Sequence, residues 1–133
     1  MQKFFLAGFL IALLTTAAYA QENITYPVVV SFNSMCCGVP DSGPVITLIK
    51  RFKKQHKIKR ITADSIGPMG KEGEYYLAFS LKEMSKAQKI KFIQQLKRIA
   101  PTLKDQGSAE VIENLTINKA DLSRGTIITA KLF

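Results

Sequence analysis

The sequence has few of the residues that build metal and catalytic centres, with two cysteines and one histidine, His56. One imidazole and a single cysteine pair do not supply the four ligands of a structural zinc site within one chain. His56 lies in a strongly basic segment without a neighbouring carboxylate, so a Ser/His/Asp or Cys/His arrangement would need distant residues to converge. The sequence therefore predicts a protein that is not an enzyme.

Beyond residue 14 the chain lacks any apolar run long enough to cross a membrane. The one long run, residues 4–14, would span about 16 Å as a helix, roughly half of a hydrocarbon core. It follows Lys3 and precedes Ala-Tyr-Ala at residues 18–20, an order typical of a cleavable secretory signal peptide. We expect residues 1–20 to be this peptide, and the product to be periplasmic or extracellular without a transmembrane anchor. The alternative is a buried N-terminal helix.

Residues 21–133 contain no linker, internal repeat or low-complexity tract, so we expect them to form one domain. Acidic residues are in the minority, because 10 Asp and Glu face 19 Lys and Arg and the net charge is +9. A basic field favours an anionic surface or polymer as partner. No nucleic-acid partner is expected, since export argues against one and residues 73–79 depart from the RNP1 pattern of RNA-recognition modules.

Apolar periodicity divides this domain into strands, with alternating apolar positions, and helices, with apolar positions three and four apart. Ser42 is the expected N-cap of the first helix, with Pro44 in its first turn, and Ser85 with Gln88 predicts a capping box at the second. The predicted order is strand 26–32, helix 42–56, strand 58–66, strand 75–81, helix 85–100, and C-terminal strands 111–117 and 126–133.

The same periodicity predicts which side chains enter the core. Alternation over residues 26–32 places Tyr26 on the same face of the first strand as Val28. Helical spacing in the second helix predicts an apolar stripe that includes Ile90 and Leu96.

The order β-α-β-β-α-β predicts an α+β domain of the ferredoxin-like split βαβ type, an antiparallel sheet with both helices on one face and an extra C-terminal strand. Either C-terminal segment can supply the fourth strand. The opposite sheet face would be open and could form a homodimer. Its expected outward-facing residues are Val29, Ser31, Tyr76, Ala78 and Ser80.

Both cysteines lie in residues 34–41, between the first strand and the first helix, next to Met35. Adjacent Cys36 and Cys37 could close a strained, easily reduced disulfide, because a trans peptide holds their Cα atoms about 3.8 Å apart. If they are reduced, proximity to a helix N-terminus would lower the thiol pKa and favour soft-metal capture or redox exchange. Met35, Cys36 and Cys37 are then the expected ligands of copper or zinc. A structural role and an intermolecular disulfide remain alternatives.

This segment resembles, in position, the metal loop of heavy-metal-associated domains, which are ferredoxin-like modules. Their Gly-Met-x-Cys-x-x-Cys loop lies at the same strand-to-helix junction, and Met35 and one cysteine correspond to it. Cys36 and Cys37 are adjacent here, without the two intervening residues of that pattern. The resemblance covers one loop and a topology, and it implies a two- or three-coordinate soft-metal site or a site shared between chains.

Residues 50–60 hold the densest positive charge, with seven Lys and Arg in eleven positions. The expected contacts with an anionic surface or polymer are Lys50, Arg51, Lys53, Lys54 and Lys57. The alternative is a solvated face, because cations are favoured at a helix C-terminus. Two hypotheses follow: a small exported, non-enzymatic binding or interaction protein, or a soft-metal or thiol-redox module that uses Cys36 and Cys37.

Overall fold

The structure is a computed structural model, and it describes residues 22–133. The predicted signal peptide, residues 1–20, lies outside the described residues. The elements are the strands β1 (Asn23–Ser34), β2 (Thr62–Gly67), β3 (Tyr75–Phe79), β4 (Gly107–Asn118) and β5 (Ile127–Leu132) and the helices α1 (Gly43–Gln55) and α2 (Lys86–Ile99). Short 3-10 turns, Ala100–Thr102 and Lys119–Asp121, follow α2 and β4.

The five strands form one antiparallel sheet in the order β4-β1-β3-β2-β5. In β1, Val28 lies opposite Phe79 of β3 and Glu113 of β4. The predicted hairpin is present as β2 and β3, and β5 pairs with the outer side of β2. The prediction of an α+β fold with an antiparallel sheet and two helices is confirmed, and both C-terminal segments are strands.

The larger core lies between the sheet and the two helices. Phe92 of α2 is fully buried at its centre, with its ring centroid 5.1 Å from that of Phe52 in α1 and 5.3 Å from that of Phe79 in β3. Both contacts are edge-to-face, the geometry that aromatic pairs prefer. Ile90 is 51 % exposed, so the predicted stripe is wrong at this position and α2 buries a narrower face.

The sheet face opposite the helices carries a second, smaller core. Val29 and Ala78 belong to this smaller core, so the predicted face is confirmed for them. The prediction that the face is open at Val29, Ser31 and Ala78 is wrong, because their exposed fractions are 0 %, 2 % and 0 %. Residues 119–126 connect β4 with β5 at the opposite sheet edge, and Leu122 packs against this face. The other side chains packed there include Ile24, Ile112, Leu115, Ile117 and Ile128. Tyr76 and Ser80 are half-buried, and homodimerisation itself stays a prediction.

The alternation of side chains between the two faces of β1 is broken near Pro27, so that Tyr26 and Val28 lie on opposite faces. Tyr26 packs with Val29 in the smaller core, so its predicted position beside Val28 is wrong. Pro27 has no N–H for the ladder, and Asn114 on the neighbouring strand has a φ of 54°, so the regular alternation is interrupted at this point. The Tyr26 hydroxyl donates to Asp64 Oδ2 at 2.6 Å. Burial, followed by this bond and the Asp64 charge, raises the pKa of Tyr26.

The two helices begin differently. The predicted capping box is confirmed in α2: Ser85 Oγ accepts from the Gln88 N–H at 3.3 Å, and Gln88 Oε1 accepts from the Ser85 N–H at 2.8 Å. In α1, Ser42 occupies the N-cap position, but its side chain makes no capping hydrogen bond. Asp41 Oδ1 accepts the Gly43 N–H at 3.0 Å. A side chain one residue earlier therefore takes the expected role of Ser42.

Candidate functional site

The loop of residues 35–42 between β1 and α1, the cysteine loop, presents Met35, Cys36 and Cys37 to solvent. Met35 is 79 % exposed. Its N–H donates to the Gln106 carbonyl at 3.4 Å, which ties the loop to the residue before β4. Gly38 adopts a φ of 133°, a backbone conformation that residues other than glycine rarely adopt. The loop is therefore anchored to the sheet while its sulfur atoms stay accessible.

Cys36 and Cys37 are thiols in direct contact, with Cys37 donating to Cys36. This hydrogen bond raises the pKa of the Cys36 thiol, and desolvation and the Glu72 carboxylate raise it further. The net shift in the pKa of Cys36 is therefore opposite in direction to the lowering expected from the N-terminus of α1. A raised pKa decreases the thiolate fraction at neutral pH, and the thiolate is the form that binds metals and attacks disulfides.

The cysteine loop offers few ligands to a metal ion. Among residues 22–133, the structure contains no group of three or more His, Cys, Asp or Glu side chains placed to hold a metal. Two thiols with a nearby thioether are the soft ligands that favour copper(I). The predicted ligands Met35, Cys36 and Cys37 are consecutive and exposed, and metal binding by them stays a prediction.

Four of the five predicted basic contacts surround one groove of about 630 Å³. Lys50, Lys53 and Lys54 recur on one side of α1, and Lys57 follows in the turn after the helix. We call this site the lysine groove; it is lined by Lys50, Lys53, Lys54, Lys57, Ile58, Leu132 and Phe133. None of the side chains that line this groove is acidic, so four positively charged side chains gather there without a carboxylate side chain among them.

The C-terminal residues form the apolar part of the lysine groove. Phe133 and Ile61 exchange two main-chain hydrogen bonds, at 3.0 and 3.1 Å, which hold the end of the chain beside α1. Leu132 is 70 % exposed, whereas Ile58 is buried. Sequence reasoning placed Leu132 and Phe133 in a strand and missed their part in the groove, because only the pairing of β5 with β2 brings them to the lysines.

Arg51 is separated from the four lysines. It lies in a second groove of about 500 Å³ between α1 and α2, together with Gln55, Gln95 and Arg98. Within residues 22–133, Gln95 Oε1 is buried without a hydrogen-bond partner. One helical step thus places Arg51 on a different side of α1 from Lys50, and the predicted set of five basic contacts is divided between two surfaces.

A polar pocket of about 290 Å³ on the smaller-core side of the sheet was also missed. Thr62 Oγ1 lies 2.7 Å from Ser80 Oγ and donates to Glu83 Oε1 at 3.0 Å, while Arg60 pairs with Glu83 at 3.8 Å. The polar residues at alternating positions of β2 were its only sequence signal. These side chains form hydrogen bonds and an ion pair with one another, so we interpret them as residues that stabilise the sheet.

Comparisons of the chain with protein-family models, with curated proteins and with solved structures found no match. In residues 22–133, none of the helices is both long and apolar enough to cross a membrane. The fold and its two candidate sites define an α+β protein with a basic groove and a dithiol loop, and functional inference depends on the geometry of these sites.

Proposed function

We propose that this chain is an exported, non-enzymatic binding protein that uses the lysine groove to hold an anionic surface or polymer. The observation that carries this proposal is the gathering of Lys50, Lys53, Lys54 and Lys57 around one groove without an acidic lining residue. The sequence pattern of residues 1–20 supports export to the periplasm or the extracellular space.

The charges around the lysine groove favour binding of an anion over the alternative that these lysines are only solvated. Among residues 22–133, the side-chain ion pairs engage Arg60, Lys97 and Lys119, none of which belongs to the groove. Four like charges on one surface repel one another, and a bound polyanion relieves that repulsion while it gains attraction. Such binding weakens with salt, because the Debye length shortens to about 8 Å at physiological ionic strength.

We further propose the ferredoxin-like split βαβ arrangement for this domain, with β5 as an addition. Two relations support it. Strands β1 and β2 are both antiparallel to β3, which lies between them, and β3 and β4 are likewise both antiparallel to the intervening β1. Each helix therefore connects two parallel strands that are separated by one other strand, and both helices contribute to the larger core.

The proposal is tested with a triple variant, Lys53→Gln, Lys54→Gln and Lys57→Gln, in a titration with heparin at low salt. We expect about 100-fold weaker binding, since a basic side chain near an anionic surface contributes about 1 kcal/mol and three are removed. The measurement is a dissociation constant from isothermal titration calorimetry, repeated at rising salt to follow the screening.

The matched control for this titration removes three exposed lysines from elsewhere on the surface: Lys86, Lys91 and Lys104. It changes the net charge by the same amount, so a general field effect would weaken both variants equally. Equal affinities of the two triple variants would overturn the assignment of the lysine groove. Absence of heparin binding by the wild type at low salt would remove polyanion binding altogether.

A second candidate function, soft-metal binding or thiol redox exchange at the cysteine loop, is favoured by the exposed sulfurs of Cys36 and Cys37, which contact each other. Closing the pair would release two protons and two electrons to an oxidant, such as a disulfide in an oxidising compartment. Because the pKa of Cys36 is raised, metal uptake should strengthen as the pH rises toward the range in which that thiol ionises.

This candidate is tested by intact-mass measurement after alkylation, followed by titration of the reduced protein with copper(I) and with zinc. We expect two alkyl groups on the reduced chain, and copper(I) binding that Cys36→Ser with Cys37→Ser abolishes. Met35→Leu should weaken binding by a smaller factor, because a thioether is a weaker ligand than a thiolate. If the reduced protein binds neither ion and air oxidation leaves both thiols open to alkylation, this candidate is wrong.

A further inference from the structure

We propose that the lysine groove takes a single-chain anionic amphiphile, with its phosphate or carboxylate head among the lysines and its alkyl chain over Ile58, Leu132 and Phe133. This inference rests on the proposed function, because the same lysines hold the anion. It goes further by naming the chemical class of the ligand and by giving the C-terminal residues a role in binding.

The first argument is the chemical asymmetry of the groove. Lys50, Lys53, Lys54 and Lys57 supply four ammonium groups, whereas the side chains of the remaining lining residues are apolar. A sulfated or phosphorylated polymer would pair with the ammonium groups alone and leave the apolar lining in contact with water. An amphiphile with one anionic end satisfies both parts at once, because the apolar area that it covers is withdrawn from water.

The second argument is the exposure of Leu132. It is a large apolar side chain, 70 % exposed, at the end of an edge strand where charged or polar side chains usually protect a sheet from association. Ile127, at the other end of the same strand, is 62 % exposed but does not line the lysine groove. Two comparable apolar residues on one strand thus differ in their proximity to the lysines, which provides a matched pair for testing.

The third argument is size. The groove volume of about 630 Å³ lies within the range of about 300–1,000 Å³ that is usual for small-molecule sites. The stems of the lysines contribute further apolar surface beside an alkyl chain, while their charged ends remain free to meet the head group.

The experiment measures binding of dodecyl phosphate to the purified protein, below the concentration at which this probe forms micelles. The comparison probes are hexyl phosphate, inorganic phosphate and dodecyltrimethylammonium. Each methylene fully withdrawn from water strengthens binding by up to about fourfold, so even partial burial predicts dodecyl phosphate at least about tenfold tighter than hexyl phosphate. The cationic probe, with the same tail, should bind far more weakly because it meets four lysines.

Two variants separate a specific site from general adsorption. Leu132→Ser should weaken dodecyl phosphate binding about tenfold, whereas Ile127→Ser should leave it within about twofold of wild type. Circular dichroism of each complex checks that the fold persists, and amide chemical shifts at Leu132 and Phe133 should move on titration. Equal effects of the two serine variants, or no gain with chain length, would overturn the inference.

Failure of the inference is distinguishable from failure of the proposed function. If heparin binding depends on Lys53, Lys54 and Lys57 but dodecyl phosphate binds no tighter than inorganic phosphate, the amphiphile is excluded and the anion site stands. If neither ligand responds to the lysine substitutions, both proposals are wrong. Binding to vesicles of anionic lipid without binding to monomeric dodecyl phosphate would also overturn the inference, because it would indicate a membrane surface as the partner.

Discussion

Replacing Phe92 by alanine should lower the free energy of unfolding by about 3–5 kcal/mol, the usual cost of removing a fully buried aromatic side chain. Phe92 connects three elements of the larger core, α2, α1 and β3, because its ring contacts Phe52 of α1 and Phe79 of β3 edge-to-face. The substitution removes both aromatic contacts and leaves a cavity between the helices and the sheet. Equilibrium denaturation in urea, with the midpoint and slope measured for both proteins, checks the value.

Ile90→Ala is the matched control, on the same helix and also apolar to alanine. Ile90 is 51 % exposed, so little buried area is lost and the free energy of unfolding should change by less than about 1 kcal/mol. If Phe92→Ala costs no more than Ile90→Ala, α2 does not pack on the sheet through Phe92, and the larger core described above is wrong.

The elements that depend on local sequence could be predicted well. The capping box of Ser85 and Gln88 is a contact within one helical turn, and the hairpin of β2 and β3 connects neighbouring segments, so short-range patterns suffice for both. The α+β class followed from the order of these segments. Local patterns also grouped three of the lysines, since Lys50, Lys53 and Lys54 at helical spacing share one side of α1.

Features that depend on distant segments could not be predicted. Val29 lies in a core to which the β4-to-β5 connection contributes Leu122 as it crosses the sheet. The periodicity of β1 contains no information about the course of that connection. The strand pattern failed at Tyr26 because the alternation is interrupted at Pro27 and at Asn114, 87 positions later in the chain. Strict alternation assumes an unbroken ladder, which these two residues do not provide.

In both candidate sites, the residues that are close in sequence could be predicted, and the contributions of distant segments could not. The sequence predicted Cys36 and Cys37 in the loop between the first strand and the first helix. It did not predict that the carboxylate of Glu72, from the β2–β3 hairpin, helps to raise the pKa of Cys36. It likewise predicted the lysines of the groove and missed Leu132, since the contact between the end of the chain and α1 depends on sheet order.

The cysteine loop depends on a second long-range contact, which predicts that Gly107→Ala is strongly destabilising. Gly107 is buried at the start of β4 and pairs with Ser34, the last residue of β1 before the loop. A Cβ atom at Gly107 would collide with the carbonyl oxygen of Asn33 and would lie 3.0 Å from Pro40 Cδ. Both obstacles are parts of rigid segments, so the strands must separate locally.

We expect Gly107→Ala to lower the free energy of unfolding by about 1–3 kcal/mol, as overpacking of a close backbone approach does. We also expect faster alkylation of Cys36 and Cys37, because separation at Gly107 loosens the hydrogen bond from Met35 to Gln106 that anchors the loop. Ser108→Ala, an exposed position beside it on the same strand, is the control and should leave both measurements near wild type. Wild-type stability of Gly107→Ala would contradict the pairing of β1 with β4 at this end of the sheet. Lower stability with unchanged alkylation would instead show that the cysteine loop keeps its shape independently of that pairing.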